Sequence, residues 1–355
     1  MMAERLKKIR QMIKKKSIDA VLITSQLNRR YLSGFDGTAG VLLIDQNKAL
    51  LMTDFRYIEQ AARQAEQFEV MRFKDDLIKA LVPLIRSAGW EKLGFEAKQV
   101  VCSFYRDMKK KLPVELIPLD ESAEKQRMIK DDTELDILSR GAEILDGAFN
   151  YICSLIKPGM TEKEVALELE VYLLKQGAEE KSFSFIVASG KRGAMPHGVA
   201  SQKKLVNGEL ITIDFGAVFE GYATDMTRTV ALGNVSLHES KIYDIVKEAQ
   251  HEGALAVKPG LRGKEVDAVA RGIIDRAGYR DYFGHGLGHG VGLETHEEPV
   301  LNPRSSTVLK PGMVVTVEPG IYIPEWGGVR IEDMVAVTGE GVEMLTNSTR
   351  ELIVI

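Results

Sequence analysis

Lys157-Pro-Gly-Met-Thr-Glu-Lys-Glu-Val165 recurs as Lys258-Pro-Gly-Leu-Arg-Gly-Lys-Glu-Val266, six of nine positions being identical at an offset of 101 residues. At that same offset Gly177 and Gly278 close the helix that follows each copy, where a left-handed cap favours glycine. Each copy reads as helix, Lys-Pro-Gly turn, helix, strands. A period of about 100 residues is too long for a solenoid, whose repeats run to roughly 50. It fits a duplicated half-domain. The expectation is a pseudo-symmetric α/β domain with its functional site between the two halves.

The strands of those halves carry acids where apolar residues belong. Asp214 interrupts Leu210-Ile-Thr-Ile-Asp-Phe215, Glu318 ends Met313-Val-Val-Thr-Val-Glu318, and Glu332 lies in Val329-Arg-Ile-Glu-Asp-Met-Val335. A carboxylate on a buried strand is costly unless positive charge meets it. Taken singly, each would read as a salt-bridged or edge-exposed side chain. The positions also pair, however. A hairpin centred on Phe219-Glu220, just before Gly221, would set Asp214 opposite Asp225. A second, centred on Glu325 within Pro324-Glu-Trp-Gly-Gly328, would set Glu318 opposite Glu332. Like charges directly opposed destabilise a sheet, so two such pairs point to neutralisation by bound cations.

Gly284-His-Gly-Leu-Gly-His-Gly-Val-Gly-Leu293 supplies the imidazole. Its alternating glycines allow close backbone approach and place His285 and His289 near each other. No Gly-Lys-Ser/Thr follows and the spacing is not that of a dinucleotide loop, so a phosphate cradle is disfavoured. His296 sits in Glu294-Thr-His-Glu-Glu298 and His197 in Met195-Pro-His-Gly198, so four of six histidines fall in glycine- or proline-punctuated segments. His238 and His251 fall on a solvated helix. Glu220, Glu325 and Asp333 are placed outside the site, Asp333 because alternation turns it away from Glu332. Arg330 shares the face of Glu332 and could hold a carboxylate or meet substrate. Asp214, Asp225, His289, Glu318 and Glu332 form an oxygen-rich set with one imidazole and no thiolate. Such a set suits Mn²⁺ or Co²⁺ ahead of Zn²⁺ or Fe²⁺, and its size fits two ions sharing bridging carboxylates. A two-metal centre activates water and polarises a carbonyl, the ingredients of hydrolysis.

The rest of the chain sets the context. Residues 1–125 alternate strand-like stretches (Ala20–Thr24, Val41–Asp45) with helical ones (Asp75–Arg86, Ser103–Lys111), behind a first helix whose Leu6, Ile9 and Ile13 share a face. Asp120–Arg127 reads as a connector, and Asp132-Thr-Glu134 as the capping signal of a helix running to about Ile156. Two domains follow, 1–125 and 126–355. With 47 basic and 51 acidic residues the net charge is −4, too balanced to imply nucleic acid or a membrane surface. Cys102 and Cys153 lie far apart in no metal-binding spacing and read as thiols. Neither an apolar leader core nor an apolar run of the ~18 residues a membrane span requires is present, and the expected compartment is the cytoplasm.

Taken together, Ile213-Asp-Phe-Gly216, Tyr222-Ala-Thr-Asp-Met-Thr-Arg228, the Gly-His run, Val317-Glu-Pro-Gly320 and Arg330-Ile-Glu-Asp333 resemble the pita-bread metallopeptidases, specifically the prolidase and aminopeptidase P branch. Asn28-Arg-Arg-Tyr-Leu-Ser-Gly-Phe-Asp-Gly-Thr-Ala-Gly40 and Thr53-Asp-Phe-Arg-Tyr57 resemble the creatinase-type N-terminal domain of that branch. The resemblance implies an α/β (α+β) chain with a creatinase-type domain ahead of a pita-bread catalytic domain. It implies that Asp214 binds one metal ion, that Asp225 and Glu332 bridge two, and that His289 and Glu318 complete the shell of the second metal ion. His197, His285 and His296 match substrate-contacting histidines, and Arg330 an arginine beside the bridging glutamate. The implied activity is an exopeptidase cleaving Xaa-Pro bonds of dipeptides or peptide N-termini, with a metal-bridging hydroxide as nucleophile and Glu318 shuttling the proton. A homodimer acting on small peptides with proline in second position is implied too. The alternatives on this fold are a broader, methionine-type aminopeptidase, metal-free creatinase-type hydrolysis, and an inactive binding protein.

Overall fold

The structure, a computed structural model, describes residues 2–74 and 76–355. The chain divides into two compact units, Met1–Arg127 and Met128–Ile355.

In the first unit, α1 (Met2–Lys16) buries Leu6, Ile9 and Ile13 along the face its periodicity predicts. Six strands form one sheet: β1 (Ala20–Ile23), β2 (Val41–Asp45), β3 (Ala49–Thr53), β4 (Glu69–Arg72), β5 (Lys92–Glu96) and β6 (Glu115–Leu119), in the order β4-β3-β2-β1-β5-β6. The sheet is mixed, β1-β2 and β2-β3 pairing antiparallel and the outer pairs parallel. Between the strands run α2 (Gln26–Ser33), α3 (Ile58–Gln64), α4 (Leu77–Ala88), α5 (Cys102–Lys111) and the single turn α6 (Glu124–Arg127). The predicted helix start at Asp75 lies outside the described residues; α4 is capped by Asp76, whose carboxylate accepts from the N–H groups of Ile78 and Lys79. Cys102 and Cys153 are both free thiols.

The second unit is two versions of one plan. α7 (Asp132–Leu155) starts at a capping box between Asp131 and Glu134, then packs on α8 (Glu162–Lys175). β7 (Glu180–Lys181), β8 (Ile186–Ser189), β9 (Glu209–Phe215), β10 (Ala217–Phe219), β11 (Tyr222–Ala223) and β12 (Met226–Leu232) follow. α9 (Leu237–Leu255) and α10 (Gly263–Arg276) repeat the helix pair. β13 (Gly288–Gly290), β14 (Glu297–Leu301), β15 (Val314–Val317), β16 (Gly320–Ile323), β17 (Gly327–Arg330), β18 (Asp333–Val337) and β19 (Val342–Met344) complete the chain. In each copy the glycine of the Lys-Pro-Gly turn is left-handed, Gly159 at φ +91° and Gly260 at φ +92°. Gly159 donates to the Leu205 carbonyl and Leu205 back to Met160; Gly260 donates to Leu309 and Leu309 back to Leu261. The same backbone clasp is thus made at both copies of the repeat.

Each half has its own core. Leu145, Phe149, Val165, Leu169, Ile211 and Ile213 pack together in the first. Ile242, Val246, Val266, Ala270, Val315 and Val335 do so in the second. The first sheet runs β12-β9-β8 and the second β14-β13-β15-β18-β19.

One expected register is right and one is wrong. Gly320↔Arg330 and Ile323↔Gly327 pair in the β16-β17 hairpin, and Val317↔Asp333 in β15-β18. All centre on Glu325, so Glu318 stands across from Glu332. In the other ribbon Phe219 pairs with Tyr222 and Asp214 with Thr227, not with Asp225. The loop is Glu220-Gly221, both left-handed at φ +46° and +77°. A centre on Phe219-Glu220 would force Phe219 into that region, where its Cβ is penalised; the turn takes the glycine instead. Asp225 thus lies two residues along the same face from the partner of Asp214, diagonal to it.

Candidate metal centre

Asp214 comes from β9, Asp225 from the step between β11 and β12, His289 from β13, Glu318 from the end of β15, and Glu332 from the joint between β17 and β18. The first half therefore contributes two acids and the second half the imidazole and the other two. Asp214, Asp225, His289 and Glu332 are buried, and Glu318 nearly so. His289 Nε2 lies 3.6 Å from Asp225 Oδ2 and 3.5 Å from Glu318 Oε1. Asp225, His289 and Glu332 each offer a ligand atom, all within 4.8 Å of one another. The five side chains line a cavity of about 760 Å³ together with His197, His285, His296, Tyr322 and Arg330.

Burial sets the electrostatics. It holds the carboxyl of Asp225 well above the usual range, and Glu332, Asp214 and Glu318 push it further. Glu332 is raised in the same way, by burial first and then by Glu318 and Asp214. Glu318 is pushed up to about 8, again chiefly by burial. His289 is lowered to about 4 by burial and by the neighbouring His296, so it offers a neutral imidazole. The ring of His296 lies 4.2 Å from that of His289, centroid to centroid.

Asp214 Oδ1, Asp225 Oδ1 and Glu332 Oε1 are buried and accept no hydrogen bond. An orphaned buried acceptor costs on the order of 1–3 kcal/mol, and natural interiors rarely tolerate three together. Hard anionic oxygens around one neutral imidazole are what a divalent metal cation takes. The residues fit the metal.

The remaining oxygens are held. Arg330 Nη2 donates to Asp214 Oδ2 at 2.6 Å, and Thr227 Oγ1 to Glu332 Oε2 at 2.7 Å. Arg330 Nη1 also donates to the Tyr322 hydroxyl at 2.9 Å, which leaves that hydroxyl's proton for His285 Nε2, also 2.9 Å away. His285 Nδ1 then carries the hydrogen that meets the Gly286 carbonyl at 2.8 Å. Burial keeps this ring neutral, its pKa lowered to about 4. His197 stands exposed at the rim, next to Pro196, whose carbonyl accepts from Arg330 Nη1 at 3.3 Å. Tyr322 and Thr227 thus join the candidate site through side-chain hydrogen bonds that the sequence alone does not single out. The hairpin register centred on Glu325 already places Tyr322 on the face of Arg330. Thr227 was hidden by the misplaced turn at Phe219.

A duplicated α/β unit whose halves converge carboxylates and one imidazole on a deep cavity defines a metal-dependent hydrolase. Residues 136–339 match metallopeptidase family M24, and residues 5–129 match the creatinase/prolidase N-terminal domain. The chain belongs to metallopeptidase family M24, and its second unit has the pita-bread fold. It is 41% identical to the Xaa-Pro dipeptidase of Pyrococcus horikoshii over 357 residues, 99% of each chain. The structure of Xaa-Pro dipeptidase from Bacillus anthracis superposes with a TM-score of 0.98 at 48% identity, covering all of both chains. That of X-Pro aminopeptidase from Thermotoga maritima gives 0.91 at 39% identity, over 96% of this chain and 98% of that one.

Proposed function

We propose that this metallopeptidase is an exopeptidase that hydrolyses the Xaa-Pro bond of small peptides, with dipeptides the favoured substrates. Asp214, Asp225, His289, Glu318 and Glu332 would hold two divalent ions, Mn²⁺ or Co²⁺. The observation that carries this reading is the trio of buried, partnerless oxygens of Asp214, Asp225 and Glu332 beside His289. Relatives named for Xaa-Pro cleavage, at 41% and 48% identity over the full length, support the substrate.

When bound, the ions would supply a hydroxide nucleophile at neutral pH and polarise the scissile carbonyl. The protein's own groups do the rest. His296, exposed to the cavity beside His289, donates to the carbonyl oxygen as charge develops there. Glu318, its pKa near 8 without cations, takes the proton of the attacking water at its carboxylate and passes it to the proline nitrogen. His197 and His285 orient the peptide, the latter fixed in one tautomer by Tyr322. A prolyl substrate offers no N–H at the scissile bond and has a fixed φ, so recognition rests on shape and on the two termini. A cavity of about 760 Å³ suits a dipeptide. The preference for dipeptides follows the relatives named as dipeptidases, and a homodimer is proposed from the resemblance to the family alone.

The test compares metal-stripped and Mn²⁺- or Co²⁺-reconstituted enzyme on Xaa-Pro, Xaa-Pro-Yaa and Met-Ala-Ser peptides. Turnover of Xaa-Pro that vanishes on stripping and returns with Mn²⁺ or Co²⁺ is expected. Full activity after exhaustive stripping, or preference for Met-Ala-Ser, would overturn the reading. Faster turnover of Xaa-Pro-Yaa would replace dipeptidase with aminopeptidase. Sedimentation tests the dimer.

A further inference from the structure

Behind the candidate metal centre lies a second set of buried charges that lines no part of the cavity. Arg228 follows Asp225 by three residues on β12, and Asp333 follows Glu332 directly; they are 1% and 0% exposed. Arg228 pairs with Ile213 across the ribbon, one step out of phase with Asp214 and Thr227, so its side chain leaves by the opposite face.

Its guanidinium spends all its donors. Nε meets the Thr349 carbonyl at 3.0 Å, and Nη2 meets Asp333 Oδ1 at 2.7 Å and the Ser348 carbonyl at 2.8 Å. Nη1 meets the carbonyl of Thr227 at 2.9 Å and also that of Glu332. The last two acceptors matter most. Thr227 and Glu332 are the residues whose side chains bond each other on the cavity side, and the Glu332 N–H already donates to the Thr227 carbonyl at 3.0 Å. One planar fork therefore fixes the backbone spacing between the strand that follows Asp225 and the segment that carries Glu332.

Asp333 anchors the fork. Besides Arg228, it accepts from Thr346 Oγ1 at 2.8 Å, Gln250 Nε2 at 2.6 Å and Arg350 Nε at 2.6 Å. The cavity-facing Glu332 has an orphan oxygen, while Asp333 next to it has none. The two neighbours are built for different tasks, one to take a cation and one to hold position.

We propose that Arg228 and Asp333 are positioning residues for the metal centre. Their ion pair presets the spacing of Asp225 and Glu332 against carboxylate repulsion, so the cations meet a formed site. This rests on the reading that Asp225 and Glu332 share bound metal. A lysine at 228 keeps the charge but cannot fork to several carbonyls.

The experiment uses the full chain, stripped of metal, as Arg228→Lys, Asp333→Asn and, for reference, Glu332→Gln. Mn²⁺ is titrated by calorimetry, the Co²⁺ form is read by visible absorption, and thermal unfolding is recorded before metal is added. Residues that orient ligands typically carry 10–100-fold in affinity or activity. Arg228→Lys should weaken the Kd for Mn²⁺ by about that factor, shift the Co²⁺ bands and lower kcat with little change in KM. Asp333→Asn, nearly isosteric, should move the same readouts less. Should Arg228→Lys fail to fold, Asp333→Asn decides. Wild-type Kd and Co²⁺ spectrum in a folded variant, with binding impaired in Glu332→Gln, overturn the positioning role alone. Wild-type binding in Glu332→Gln as well would overturn the reading beneath it.

Discussion

Glu318 titrates against its surroundings more than against solvent, and that gives the metal-free protein an unusual dependence on pH. A raised carboxyl pKa means the folded state holds its proton more tightly than the unfolded chain. Its stabilising contribution is complete below the unfolded value of about 4.3 and is lost as pH rises through the folded value. For Glu318 that loss extends to about 8, and Asp225 and Glu332 act in the same direction. His285 and His289, lowered to about 4, work the other way. Their contribution is whole above the unfolded value of about 6.5 and disappears as pH falls toward 4. Above about pH 6.5 the histidines no longer contribute and only the acids act, so the Tm of the metal-stripped protein should fall as pH rises from there toward 8. Cations stabilise the ionised acids, so the gain in Tm on adding Mn²⁺ should widen across that rise. Calorimetric scans with and without Mn²⁺ at several pH values check both. A Mn²⁺-induced gain that is flat with pH would contradict the burial of these acids in ionisable form.

At the level of strands, close approach does the positioning. A Cβ on Gly288 would lie 1.9 Å from the Thr316 carbonyl oxygen of β15, a clash with backbone that cannot swing aside. Gly288→Ala should force β13 away from β15, break the 3.1 Å bond from the His289 N–H to Thr316 Oγ1, and cost about 1–3 kcal/mol in chemical denaturation. Metal content should fall with it, and a variant with wild-type stability and metal content would contradict this account. The alternating glycines announced this tight contact, and the hairpin around Glu325 was legible because Pro324 and Gly327-Gly328 bracket its turn. The Glu220-Gly221 turn lies a single step from the one that pairing acid with acid implies, because the left-handed positions of the loop favour glycine. Tyr322 lies on the Arg330 face of that legible hairpin, whereas the Asp333 network rests on side chains that meet from positions 105 residues apart in the case of Arg228 and Asp333, and no local pattern encodes such a meeting.

The whole second unit is where metal and fold become one equilibrium. Two half-domains, each with its own apolar core, donate acids to a shared cavity, Asp214 and Asp225 from one half and Glu318 and Glu332 from the other. Without cations those acids repel across the junction of the halves. With cations bound, the same side chains would cross-link the two cores. Binding to the folded state alone adds RT ln(1 + [L]/Kd), about 4 kcal/mol at a thousandfold excess over Kd. Because the ligands come from both halves, that energy cannot be localised in either. Chelation should thus lower the unfolding temperature of the whole unit in one cooperative transition. Hydrogen exchange of metal-stripped protein should loosen β9 and β12 together with β13, β15 and β18, while the helices α8 and α10 on the outer faces change less. Exchange that accelerates in one half only would mean that the halves are joined by their cores and not by the site, and the duplication would then be a record of ancestry with no part in holding the metal.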